Sequence, residues 1–111
     1  MNRNKLIVLF IGNISNTVVH KILEKAIDDD NIRKHYDKEL MVSFDIAKMY
    51  REKINPIGIP LPEKDAKEIK QNVAKMVNSE LKLRISKGYK NIDLSLIEPT
   101  IDEFLRKLKV I

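Results

Sequence analysis

The stretch Leu6–Thr17, LIVLFIGNISNT, decides how the rest of the chain is read. An unbroken apolar run stops at Gly12, a cluster of small polar residues comes next, and from Val18 the pattern VVHKILEKA has helical spacing. A short apolar run rich in Ile and Val and closed by turn-forming residues has the signature of a strand buried on both faces. Leu6–Ile11 therefore reads as a central strand, and Gly12–Thr17 as the turn into a helix capped by Ser15 or Asn16.

Outward from there, Val18, Val19, Ile22, Leu23, Ala26 and Ile27 give the inward face of the first helix. Asp28-Asp29-Asp30 ends it, NIRKHYDKE adds a short helical turn, and Leu40–Phe44 reads as the second strand. Asp45 is placed to cap a helix over Ile46–Ile54, in which Ile46, Met49, Tyr50 and Ile54 share a face. Residues 55–62, NPIGIPLP, form a Pro-rich internal connection, and Pro62 suits the first position of the next helix. Ala66, Ile69, Val73, Met76, Val77, Leu81 and Ile85 keep a long helical stripe, which Lys87-Gly88-Tyr89 closes in the manner of a glycine C-cap. Ile92–Ile97 then reads as the third strand, and Pro99-Thr100 opens a last helix with Ile101, Phe104, Leu105 and Leu108 inward. The expected fold is α/β: one small domain over 1–111, in the order β-α-β-α-α-β-α, with three strands packed by helices. Leu81, Leu83 and Ile85 also alternate, as do Ile92, Leu94 and Leu96. This leaves an α+β alternative with a C-terminal hairpin pairing Leu81–Ile85 with Ile92–Ile97.

A chain of 111 residues suits a single domain that buries one core. Its charged fraction of 33% exceeds the usual quarter and is led by Lys, a balance common in proteins of hot environments. With no cysteine there is no disulfide, thiolate metal site or cysteine nucleophile, in keeping with a reducing compartment. Arg3 and Lys5 precede an apolar run as in a signal peptide, but Leu6–Ile11 is too short for one, and no apolar stretch approaches the ~20 residues that span a bilayer. The expectation is a cytoplasmic protein without a membrane partner.

Each chemical motif is incomplete. Gly12, Asn13, Ser15, Asn16 and Thr17 offer a small-anion or nucleotide site, provided that free amides at a helix N-terminus face the ligand. The turn lacks the Walker lysine and two of the three dinucleotide glycines. It resembles the entry loop of low-molecular-weight phosphotyrosine phosphatases, without their cysteine and arginine. Asp28, Asp29, Asp30, His35 and Asp37 lack EF-hand spacing and read as a solvated turn that caps the next helical segment. His20 and Glu24 share a helix face as a surface pair. No serine has a nucleophile-elbow context, so no catalytic residue, metal or cofactor is assigned. The net charge of +5 is concentrated toward the chain ends, most densely in KLRISKGYK. Lys82, Arg84, Lys87, Tyr89 and Lys90 are the nucleic-acid candidates there. Ile57, Ile59 and Leu61 must cover the core or meet a partner.

Over its whole length the chain resembles small proteins of thermoacidophilic archaea of the Thermoplasma type. The resemblance lies in VLFIGNISNTVVHKILEKAIDDD and KGYKNIDLSLIEPTIDEFL. It implies a globular α/β protein with a cytoplasmic home and carries over no catalytic residue. The functional expectation is a binding or protein-interaction module without catalysis, its partner another protein or a second copy. Nucleic acid at Lys82–Lys90 ranks next, then an anion or nucleotide at Gly12–Thr17.

Overall fold

Leu6–Ile11 and Gly12–Thr17 belong to one uninterrupted helix, α1 (Arg3–Ala26), in the computed structural model, which describes residues 1–111. Leu6, Phe10, Ile14, Val18 and Ile22 recur every fourth position, and Ile11, Ser15, Val19 and Leu23 form a second such ridge; all nine are buried. Two adjacent ridges let one helix contact α2 (Asp30–Ile54), α3 (Glu63–Ser86) and α4 (Ile97–Lys107) at once. A helix covered on several sides is apolar nearly all round, and over six residues that looks the same as a buried strand. α1 is also the one helix long and apolar enough to cross a bilayer, and more than half of its most apolar window is buried within the bundle. The expected absence of such a stretch fails because the small polar residues continue the helix.

The α/β expectation is therefore corrected: the chain is a bundle of four α-helices with no strand and no sheet. Leu40–Phe44 lies inside α2, which runs unbroken from its N-cap Asp29, whose carboxylate accepts from the amides of Asn31 and Ile32. Asp45 is mid-helix, not a cap. Ile92–Ile97 is not a strand either. Asp93 caps a single 3-10 turn, Leu94–Leu96, which leads directly into α4. Pro99 falls in the first turn of α4, where a missing amide hydrogen removes no helical bond. Leu81–Ile85 is helical, so the α+β hairpin alternative fails as well.

The third helix and its glycine end match the sequence pattern in part: Met76 and Ile85 of the expected stripe are 42 and 40% exposed, and Pro62 is the N-cap, not the first helical residue. Ile69, Val73, Val77 and Leu81 are buried along α3. The Tyr89 amide donates to the Arg84 carbonyl and the Gly88 amide to that of Ile85, with Gly88 at φ +98°. This is a Schellman turn, and it needs the left-handed backbone that glycine adopts without strain. α4 ends the same way, with Val110 donating to Leu105 and Lys109 to Arg106, but there Lys109 itself takes the positive φ. Ile101, Phe104, Leu105 and Leu108 are all buried, in line with their spacing. In the 55–62 connection Leu61 is buried, Ile57 half-buried and Ile59 exposed.

Arg51 ties these pieces together. It is fully buried, and its Nε donates to the Leu108 carbonyl at 2.8 Å. Its terminal nitrogens donate to the carbonyls of Lys109 and Ile59, both at 3.0 Å, and to the carbonyl and side-chain oxygen of Asn55. No carboxylate takes part. The guanidinium instead meets the orphan carbonyls at the C-terminal ends of α2 and α4, where the helix dipoles are negative. Burial pushes its pKa below the usual arginine value, yet arginine stays charged in such a site.

Candidate functional site

The structure places Gly12, Asn13, Ser15, Asn16 and Thr17 in the interior of α1, so their amides belong to the helix ladder and do not face outward. The helix starts at Arg3, with Asn2 capping the Lys5 amide. Asn13 donates to the Leu9 carbonyl, Ser15 contacts the Met76 sulfur, and Thr17 donates to the Asn13 carbonyl. The Thr17 hydroxyl also lies 3.0 Å from that of Ser43, deep in the α1–α2 contact. These small polar side chains let neighbouring helices approach closely; they do not form an anion cradle.

Lys82, Lys87, Tyr89 and Lys90 are exposed, whereas Arg84 is half-buried and paired with Glu80 at 2.7 Å. Lys82 and Arg84 are two residues apart on one helix, about 200° around its axis. The run is thus split between two sides of α3 and the turn after it. His35 and Glu39 make an exposed pair at 3.8 Å on α2. No group of His, Asp and Glu side chains is placed to hold a metal ion.

His20 and Glu24, expected as a surface pair, are both half-buried, and His20 belongs to a cluster where α1, α2 and α3 meet. His20 and Tyr36 have ring centres 5.8 Å apart, with Glu39, His35 and Arg84 near the imidazole and Tyr89 near the phenol. His20 Nδ1 and Glu24 Oε2 are buried without a regular hydrogen bond. Burial pushes the His20 pKa below the usual histidine range, outweighing the Asn16 carbonyl and Glu39, which favour the charged ring; Arg84 and His35 oppose it further. Burial, then Tyr89, pushes Tyr36 up.

His20 therefore resists protonation in the folded chain more than in the unfolded one. Its contribution to stability is complete above the unfolded pKa of about 6.5 and is lost as pH falls through the lower folded value. Urea midpoints should fall as pH is lowered from about 7 to 5.5, and His20→Gln should flatten that slope. An equal slope in the variant would place the sensitivity elsewhere.

Two surfaces could receive another molecule. A groove of about 580 Å³ runs between α3, the 3-10 turn and α4, floored by Ala74, Ile97 and Ile101. Its volume suits a small ligand, but Lys70, its half-buried cation, already pairs with Asp102 at 2.9 Å and approaches Glu98 at 3.9 Å. The second surface is the outer side of α2. The inward side of α2 carries Ser43, Ala47 and Arg51, with Tyr36, Leu40, Phe44 and Ile54 partly covered. Val42, Ile46 and Met49 point away from the core and are 52, 36 and 43% exposed. The sequence pattern groups Ile46 and Met49 on one face with Tyr50 and Ile54, but those two turn toward the core. The fully buried positions, Ser43, Ala47 and Arg51, carry little apolar signal, and the outer apolar residues dilute the contrast that Leu40, Phe44 and Ile54 supply. No family model, curated protein or solved structure matches this chain.

Proposed function

We propose that this chain is a cytoplasmic protein-interaction module without catalysis, and that the outer face of α2 is its contact surface. One observation carries the reading: Val42, Ile46 and Met49 stand open at i, i+4 and i+7 on a helix whose other side is already covered by α1. Isolated apolar side chains on a surface need no explanation, but three on one helical face form a continuous patch. None of the three belongs to the core cluster or to the residues packed against it. The hydroxyls of Ser15, Thr17 and Ser43, engaged in helix contacts, favour a role without nucleophilic chemistry.

The test is a photo-reactive side chain introduced at Met49 in the native cell, with exposed Lys64 on α3 as control. Discrete covalent adducts are expected from position 49, lost when Ile46→Asp is added, and absent from position 64. Ile46→Asp itself should cost about 1–2 kcal/mol, since Ile46 is 36% exposed and part of its apolar surface is already covered, and should leave the chain folded. Adducts that persist in Ile46→Asp, or none from position 49, would overturn the reading.

A further inference from the structure

We infer that the molecule seated on this face is a second copy of the chain, docked antiparallel across a two-fold axis at Ile46. The inference rests on the interaction reading and supplies its partner. His35, Glu39, Val42, Ile46, Met49 and Lys53 succeed one another at spacings of 4, 3, 4, 3 and 4 along α2, the repeat that lets two helices share a straight seam. All six are exposed. The apolar residues occupy the middle, flanked by Glu39, which lies 3.8 Å from His35, on one side and by Lys53 on the other.

That arrangement is self-complementary in only one direction. Glu39 and Lys53 each lie seven residues from Ile46, about 10 Å along the axis at 1.5 Å per residue. Turning a second helix antiparallel about Ile46 brings Glu39 opposite the partner's Lys53, and Val42 beside the partner's Met49. A parallel pairing sets Glu39 against Glu39 and Lys53 against Lys53. On one flank Lys38 and Glu52 repeat the relation, placed symmetrically about Asp45. Asp45 approaches its own copy at the solvent rim, which lowers the affinity. An isologous contact of this kind closes on itself as a dimer.

The seam spans about 21 Å from Glu39 to Lys53, a small contact beside the ~800 Å² per partner of a stable complex. The dissociation constant is therefore expected on the order of 0.1 mM. Sedimentation equilibrium over about 10 µM to 1 mM should show a reversible monomer–dimer equilibrium. Ile46→Asp should weaken it at least about tenfold, and Glu39→Lys or Lys53→Glu each by about three- to tenfold, in proportion to the loss of a charge pair. The double variant Glu39→Lys/Lys53→Glu should recover the original affinity, since it restores opposite charges only in the antiparallel arrangement. A chain that stays monomeric throughout, or a double variant as weak as the single ones, overturns the inference. Should the chain be monomeric while position 49 still forms Ile46-dependent adducts with other proteins, the second copy is refuted and the interaction module stands.

Discussion

Replacing Arg51 by methionine should remove about 3–5 kcal/mol of folding stability, because it strips five neutral acceptors at two helix ends of their only side-chain donor. Methionine keeps much of the volume and is itself apolar, so the loss isolates the hydrogen bonds from the packing. Five bonds from one guanidinium match its five N–H donors, and their acceptors are the carbonyls of Leu108, Lys109, Ile59 and Asn55 with the Asn55 side chain. Left unpaired and shielded, each carbonyl costs about 1–3 kcal/mol, reduced wherever water can enter. A lysine would not substitute: Arg51→Lys offers three donors on a compact ammonium and cannot reach two helix ends with one planar fork. Against a typical total of about 5–15 kcal/mol, the loss is large. Urea unfolding measures it, and amide exchange should show residues 55–61 and 105–111 opening first. A loss under about 1 kcal/mol, within the range of exposed substitutions, would show that Arg51 does not hold the two helix ends.

Arg51 also shows why part of this fold was hidden in the sequence. A lone arginine within a helical pattern is normally assigned to the solvent side. Here it continues the Ser43–Ala47 stripe at i+4, and the whole stripe faces inward. With Ser43, Ala47 and Arg51 buried among Tyr36, Leu40, Phe44 and Ile54, and with Met41, Val42, Ile46 and Met49 outside, apolar residues occur on both sides of α2 and blur its amphipathic pattern. The run LMVSF then passes for a strand. The apolar residues that blur the pattern of α2 are also those of the proposed contact face, so the strand reading and the proposal have one cause.

In α1 the misleading residue is Gly12. Glycine followed by Asn and Ser is strong turn punctuation, yet a Cβ at Gly12 would meet nothing within 4 Å and its φ is not positive. Neither space nor backbone conformation demands glycine there; the helix tolerates its cost of about 1 kcal/mol because burial on several sides outweighs it. By contrast, Gly88 was legible because its turn does require a positive φ, and the stripe Ile69–Val73–Val77–Leu81 was legible because α3 buries one regular face. The dense basic run was visible as composition, but its division between two sides of α3 is a property of the helical rotation that a linear count of charges does not contain.

The same rotation yields a paired prediction on the segment where helix and hairpin readings competed. In a strand, Leu81, Leu83 and Ile85 lie on one face and are buried together; in a helix, steps of two residues send Leu81 and Leu83 to different sides. Leu81 is fully buried on α3, while Leu83 is 49% and Ile85 40% exposed. Leu81→Ala should therefore cost about 2–5 kcal/mol, from lost transfer energy and the cavity left among core neighbours that cannot fully collapse. Leu83→Ala, which opens no cavity and exchanges one good helix former for a better one, should change stability by no more than about 0.5 kcal/mol. Denaturant midpoints of the two variants, at unchanged m-value, give the comparison directly. Equal and large losses at both positions would require the alternating face of a hairpin and would refute the helix. A large loss at Leu81 alone fixes the rotation of α3 about its axis. A helical Leu81–Ile85 also keeps Lys82 and Arg84 about 200° apart, so the pair of leucines also tests whether the basic run can form one surface.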